Sequence, residues 1–381
     1  MLTSTVPTLI DGTCQPKFSQ VRRAFEHNFT KRGEVGAAVA VVCDGAKVVD
    51  LWGGFSDESC SIPWHETTIA NFYSAGKPIV ATMLLRELES SDVDLDTPMI
   101  DVWPEFAASG KEHATIRHAL CHRAGVPAID QTLTNDDLWS WPTMTAALAQ
   151  TRPWFEPGTR HIYHTNTYGH LIGELLRRLG DATPHDALEL LASSLEADLH
   201  FGVNDTELAR CADIILDSKA SPATLPPDDG SEGSMVLRSY FNPPGYSSFG
   251  VVNSAHWRGA EVPSTNGHGS ARGLARFYSA LLESDRVLSP PMLAEATSVQ
   301  STGPCPVLGE EVSFGLGFQR SSPRRPFGPT TASFGHFGTG GAVGFADPEA
   351  GIAVGYVMNH VIPRWQSTRN RALIDAVYAS L

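Results

Sequence analysis

Ser74 and Lys77 stand three residues apart in N-F-Y-S-A-G-K-P-I-V, residues 71–80, and no other Ser-x-x-Lys occurs in the chain. A serine hydroxyl is a poor nucleophile until a base takes its proton. A lysine with an ordinary pKa of about 10.4 is no base in water. Burial or a neighbouring cation lowers that value and frees the lone pair. At the start of a helix, residues three apart share one face, and the helix N-terminus sets N–H groups and a positive dipole end near the hydroxyl. The competing reading is a chance pair at a helix start, because serines are plentiful here. An apolar Phe72-Tyr73 step before the pair and an apolar helix after it favour the chemical reading. The other serine-hydrolase signature, G-x-S-x-G, is absent, which removes the α/β-hydrolase elbow and leaves Ser74 as the candidate nucleophile.

Two further stretches can support an activated serine. In E-P-G-T-R-H-I-Y-H-T-N-T-Y-G-H-L-I-G, residues 156–173, Pro157-Gly158 marks a turn and a helix begins near Asn166. Tyr163 then sits on an ordered loop entering a helix. It is either a core aromatic or a proton carrier, since a phenol beside an ammonium has its phenolate favoured. In F-G-H-F-G-T-G-G-A-V-G-F-A-D, residues 334–347, the glycines let another backbone or a ligand approach. A strand edge there can aim the Thr339 N–H at a substrate carbonyl, opposite the N–H of Ser74; a plain glycine turn is the alternative. His118, His122, His161, His164 and His170 fit no zinc spacing, so they read as hydrogen-bonded or solvated. Trp154, Phe155, Tyr240, Phe241 and Phe249 are candidates for an acyl or alcohol pocket, or equally for core packing.

The elements that must position these groups follow from periodicity. Residues 18–33 carry Phe18, Val21, Phe25 and Phe29 on one face and end at Gly33, which predicts a helix. Two apolar strands follow, joined at Asp44-Gly45 as a hairpin. Helical spacing returns over 74–90 and dominates from about 115 to 200. Residues 217–245, rich in Pro, Gly, Ser and Asp, predict a long surface loop. A helix is expected over 269–284, then strands separated by glycine turns, then a last helix from about Gln366. The expected fold is α+β: an antiparallel sheet from residues 1–110 and 250–381, flanked by terminal helices, with a mostly helical insertion at 111–249 and the active site between them.

Composition narrows the partners. The 381 residues carry a net charge of −14 and no basic run, which argues against nucleic acid and anionic membranes as partners. No signal peptide or membrane span is read. Six scattered cysteines without C-x-x-C fit a reduced cytoplasmic protein better than a disulfide framework or a zinc site.

S-A-G-K, Y-H-T and H-F-G-T-G-G, in that order, resemble the three motifs of the serine β-lactamase and penicillin-binding-protein superfamily. The likeness is strongest to family VIII carboxylesterases, which are similar to class C β-lactamases. H-A-L-C-H-R-A-G-V-P, S-T-N-G-H-G-S-A-R-G-L-A-R and G-F-A-D-P-E-A-G-I-A-V-G-Y-V-M-N extend it over most of residues 35–360. The resemblance implies Ser74 as nucleophile, Lys77 as its partner and Tyr163 as the shared general base and acid. It implies an oxyanion hole from the N–H groups of Ser74 and Thr339. His336 and Gly338 fall within the substrate-binding third motif, and His336 stands where lactamases carry lysine. Thr165 stands where class C lactamases have asparagine, with Asn166 shifted by one. Both changes remove groups suited to a β-lactam and leave what an ester needs. The expectation is a serine carboxylesterase for short-chain esters, working through an acyl-enzyme without metal or organic cofactor. An acyltransferase, an amide, β-lactam or D-amino-acid peptide hydrolase, and a catalytically silent binding protein are the alternatives. The oligomeric state and natural substrate are not legible.

Overall fold

The computed structural model describes residues 9–216, 226–362 and 366–381. Nine strands make one sheet: β1 Ile10–Cys14, β2 Gly36–Cys43, β3 Ala46–Gly54, β4 Ser301–Cys305, β5 Glu310–Phe314, β6 Gln319–Arg320, β7 Phe334–Phe337, β8 Val343–Asp347 and β9 Ile352–Met358. Their spatial order is β1-β3-β2-β9-β8-β7-β6-β5-β4. Every pairing is antiparallel. The two ends of the chain join where β2 pairs with β9, from Cys43 opposite Ile352 to Ala37 opposite Met358. The expected hairpin between β2 and β3 turns on Asp44 and Gly45, with φ of 48° and 76°, as a two-residue turn matched to strand twist requires.

The main helices are α1 Ser19–Lys31, α2 Lys77–Glu89, α3 Ile116–Leu120, α4 Trp141–Gln150, α5 Thr167–Gly180, α6 Pro184–Leu195, α7 Glu232–Phe241, α8 Ala271–Leu282 and α9 Thr368–Tyr378. Adjacent residues of a strand point to opposite faces. On β9, Gly355 meets α8 while the Tyr356 hydroxyl donates to Glu34 beside the paired helices α1 and α9. Helices therefore cover both faces of the sheet. α2 is buried along most of its length and packs against α5 and α6 on one side and β7 on another. Its N-terminus consequently lies where the helical middle of the chain meets the sheet.

One expected element differs. Residues 217–225 lie outside the described residues, and the rest of the predicted loop contains α7. The side chain of Ser231 accepts from the Ser234 N–H at its start, and Ser234, Met235 and Ser239 are buried. A capped start and a buried face outweigh the loop-like composition of the flanks. Among the described residues, no helix is long and apolar enough to cross a membrane. No three His, Cys, Asp or Glu side chains gather there to hold a metal. All six cysteines are free.

The terminal helices are tied together by a buried ion pair. Arg369 of α9 reaches Glu34 at 3.0 Å, with both side chains 0% exposed. Arg369 also donates to the carbonyls of Arg32, Gly33 and His360. Removing one partner of a buried pair leaves the other charge uncompensated. Arg369→Met should lower unfolding free energy by about 3–5 kcal/mol. Urea unfolding of wild type and variant checks this; a change under about 1 kcal/mol would show that the pair holds nothing together.

Candidate active site

The chain reaches Ser74 through a sharp turn. The short strand Ala70–Asn71 ends at Phe72, and Tyr73 adopts a left-handed backbone with φ of 52°. Such a conformation costs a non-glycine residue about 1–2 kcal/mol. The Asn71 side chain helps to hold it, accepting the Tyr73 N–H at 2.8 Å. A single 3-10 turn, Tyr73–Gly76, then runs into α2. Ser74 and Lys77 lie one turn apart on one face, and Lys77 Nζ is 2.9 Å from Ser74 Oγ. Lys77 Nζ also donates to the Ser264 carbonyl at 2.9 Å.

That carbonyl is fixed from the helical side. The Ser264 hydroxyl donates to the Asn166 carbonyl at 2.6 Å and accepts the Gly169 N–H of α5. A Cβ on Gly169 would fall 2.5 Å from the Ser264 nitrogen, so only glycine lets α5 come this close. Asn166, one place beyond the position where class C lactamases carry asparagine, is a buried strut. Its amide donates to the Ser239 carbonyl and the Ser247 hydroxyl, and its Oδ1 accepts from Thr265 at 2.7 Å. Ser264 carries no chemistry in a sequence reading. Its only signal was its place in the S-T-N-G-H-G stretch.

Tyr163 enters from the loop before α5. Its ring lies with its centroid 5.0 Å from Lys77 Nζ, and its phenol meets the Ser74 hydroxyl. The ring stacks with both Phe314 at 5.7 Å and His336 at 5.9 Å, which also touch each other, so the three rings form one cluster. His336, on β7, donates from Nδ1 to the Phe337 carbonyl at 2.6 Å. Past β7 the chain turns tightly: Gly338 N–H donates to Ala342 O at 2.7 Å, and a Cβ on Gly338 would stand 2.3 Å from Phe72 O. Glycine therefore lets this turn sit against the Ser74 segment, which brings half-buried Thr339 beside it. Thr165 is buried and its hydroxyl meets the Tyr240 phenol.

Burial dominates the electrostatics. Ser74 is 6% exposed, and Lys77, Tyr163 and His336 are 0% exposed. Desolvation pushes the Lys77 amine well below the usual lysine range. It pushes the Tyr163 phenol well above its ordinary value, against a lowering by the Ser74 hydrogen bond. The phenolate anticipated beside an ammonium is thus not the favoured form. Burial thus favours the neutral form of both groups, the amine with its lone pair and the phenol with its proton. Burial, the largest cause, also pushes the His336 imidazole well below its ordinary value.

The other candidates separate. Trp154, Phe155 and Tyr240 join a second apolar cluster with Tyr163, Ile162, Met235, Val307 and Phe314. Phe241 packs instead on Phe249, which is 52% exposed. His118 accepts the Thr115 N–H at the start of α3, and His170 meets the Tyr246 hydroxyl at 2.6 Å. His161 is buried against Phe314.

A nucleophile, a desolvated amine, a phenol and a backbone turn at one buried point can form and resolve an acyl-serine. Known proteins carry the same architecture. A penicillin-binding protein homologue from Caulobacter crescentus superposes with a TM-score of 0.89 at 36% identity, covering 98% of this chain and 100% of its own. A family VIII carboxylesterase superposes with a TM-score of 0.88 at 33% identity, over 98% of this chain and 100% of its own. The esterase/beta-lactamase LipL of Mycobacterium tuberculosis is 32% identical over 364 residues, 92% of this chain and 83% of LipL. The beta-lactamase family model matches residues 21–379. With that match and these full-length relatives, the chain belongs to the beta-lactamase family and is a serine hydrolase of it.

Proposed function

We propose that the protein hydrolyses short-chain carboxylic esters through an acyl-enzyme on Ser74. The observation that carries this reading is the 2.9 Å contact between Ser74 Oγ and a fully buried Lys77 amine. The neutral amine takes the hydroxyl proton as Oγ attacks the ester carbonyl. The N–H groups of Ser74 and Thr339 receive the developing oxyanion. Tyr163 gives its proton to the departing alcohol and regains one from the Lys77 ammonium. In the second half, water loses a proton to the Lys77–Tyr163 pair and attacks the acyl carbonyl. The Ser74 alkoxide leaves and is reprotonated by the same pair.

Two features favour esters over β-lactams. Burial holds His336 neutral, so the third motif presents no ammonium to a lactam carboxylate. The Thr165 hydroxyl is engaged with Tyr240, and Asn166 is committed to Ser239, Ser247 and Thr265. The apolar side chains packed around Tyr163 and the 6% exposure of Ser74 favour small acyl groups. The family VIII carboxylesterase and LipL, by name, point the same way.

Ser74→Ala should lower ester turnover about 10³-fold or more with the fold intact. A phosphonate inhibitor should add its mass to the Ser74 peptide. An adduct on another residue, or a variant that keeps a tenth of the rate, would sink the assignment.

kcat/KM for p-nitrophenyl acetate or butyrate should exceed that for nitrocefin by orders of magnitude under identical conditions. Equal values would replace the esterase reading with a lactamase one.

The pH profile follows from the direction of the Lys77 shift. The active base is the neutral amine, so kcat/KM falls as pH drops through the apparent value of the Lys77–Tyr163 pair. Burial lowers the amine, so that acid limb should lie well below the ordinary lysine value of about 10.4. A limb centred near the ordinary value would mean that Lys77 is solvated and is not the base.

A further inference from the structure

Three consecutive backbone N–H groups bracket Tyr163, and each meets a partner from a distant segment. The Ile162 N–H donates to the His122 carbonyl at 3.1 Å. The Tyr163 N–H donates to the Cys305 sulfur at 3.2 Å. The His164 N–H donates to His122 Nδ1 at 3.2 Å. His122 therefore holds both flanks of the tyrosine, one with its backbone and one with its ring.

The local backbone is shaped for this. His122 has φ of 64°, a left-handed conformation uncommon outside glycine and asparagine. Around it, residues 122–126 are zipped to 154–167. Trp154 N–H donates to the Gly125 carbonyl and Gly158 N–H to the Arg123 carbonyl. Val126 N–H donates to His164 Nε2, and the Thr167 hydroxyl to the Val126 carbonyl. These residues belong to the H-R-A-G-V-P stretch, to which the reaction itself gives no role. The His122 ring also lies 4.9 Å from that of Tyr163 and 4.6 Å from that of Phe314. Accepting at Nδ1 requires neutral imidazole. Burial, the largest cause, favours that neutral form.

Resting on the reading of Tyr163 as proton donor to the leaving alcohol, we infer that His122, assisted by Cys305, is a positioning residue that fixes the aim of the Tyr163 phenol at Ser74. A displacement of about 1 Å in a reacting group can cost 10²-fold. Three anchored amides in a row remove the backbone freedom that would permit one. The rival role for His122 is core filling, which would affect stability and all substrates alike.

The test is the dependence of acylation on the leaving group, read as kcat/KM for p-nitrophenyl butyrate against ethyl butyrate. p-Nitrophenolate departs without a proton; ethoxide needs one. His122→Asn keeps an acceptor near the place of Nδ1 and tolerates positive φ, whereas His122→Leu has nearly the same size and no acceptor. His122→Leu should lose about tenfold or more on the ethyl ester beyond its loss on the nitrophenyl ester, and His122→Asn should stay within about threefold of the wild-type ratio. Circular dichroism and the melting temperature report folding. Should His122→Leu fail to fold, Cys305→Ala, which strips the partner of the central N–H, must move the ratio in the same direction. Equal losses on both esters, or an Asn variant that behaves like Leu, overturn the inference. Tyr163→Phe is measured alongside. If its ratio shifts while those of His122→Leu and Cys305→Ala do not, the clamp alone falls. If its own ratio stays at the wild-type value, Tyr163 is not the acid and both readings fall.

Discussion

An amine kept out of water is the constraint on which this site rests. Lys77 donates to a serine hydroxyl and a backbone carbonyl, neither of which is an anion. A charged ammonium there is costly, so burial favours the neutral amine that the proposed reaction uses as its base. The same surroundings receive the charge when it forms: the Tyr163 ring faces the amine, and a desolvated ring face attracts a cation. Asn166, Gly169 and Ser264 keep the Lys77 acceptor in place. Their job is to exclude water while leaving the amine one carbonyl and one hydroxyl.

The environment also sorts the proton between two groups of similar ordinary basicity. Desolvation favours the neutral form of both, which for lysine means losing a proton and for tyrosine keeping one. The groups proposed as base and acid are thereby biased in opposite senses by one physical cause. Burial extends this preference for the neutral form to His336 in the third motif.

Legibility in the sequence followed distance along the chain. The Ser74–Lys77 pair, the Asp44-Gly45 hairpin and the terminal helices are local patterns, and the residues alone expressed them. Tyr163 and Thr339 were only candidates until their motifs were read together in order, because nothing near them says what they face. The 3.6-residue pattern of α7 was hidden by the Pro, Gly and Asp of its flanks, while its buried side chains meet residues far away in sequence. The strut role of Asn166 was hidden for a related reason: its partners come from residues 239, 247 and 265. Ser264 and Cys305 gave no chemical signal, since one acts through its carbonyl and the other accepts a backbone N–H.

The pairing of β2 with β9 governs how the protein comes into being. A ribosome releases residues 36–43 long before residues 352–358, which complete the pairing. At about 5–20 residues per second, tens of seconds pass in which the Val-rich β2–β3 hairpin has an unpaired edge. Such an edge is a template for wrong partners. The Ser74 turn likewise waits for Gly338 and its neighbours before the pocket can close. Residues 352–358 must therefore emerge before the sheet is complete, and Gly338 before the amine is sheltered.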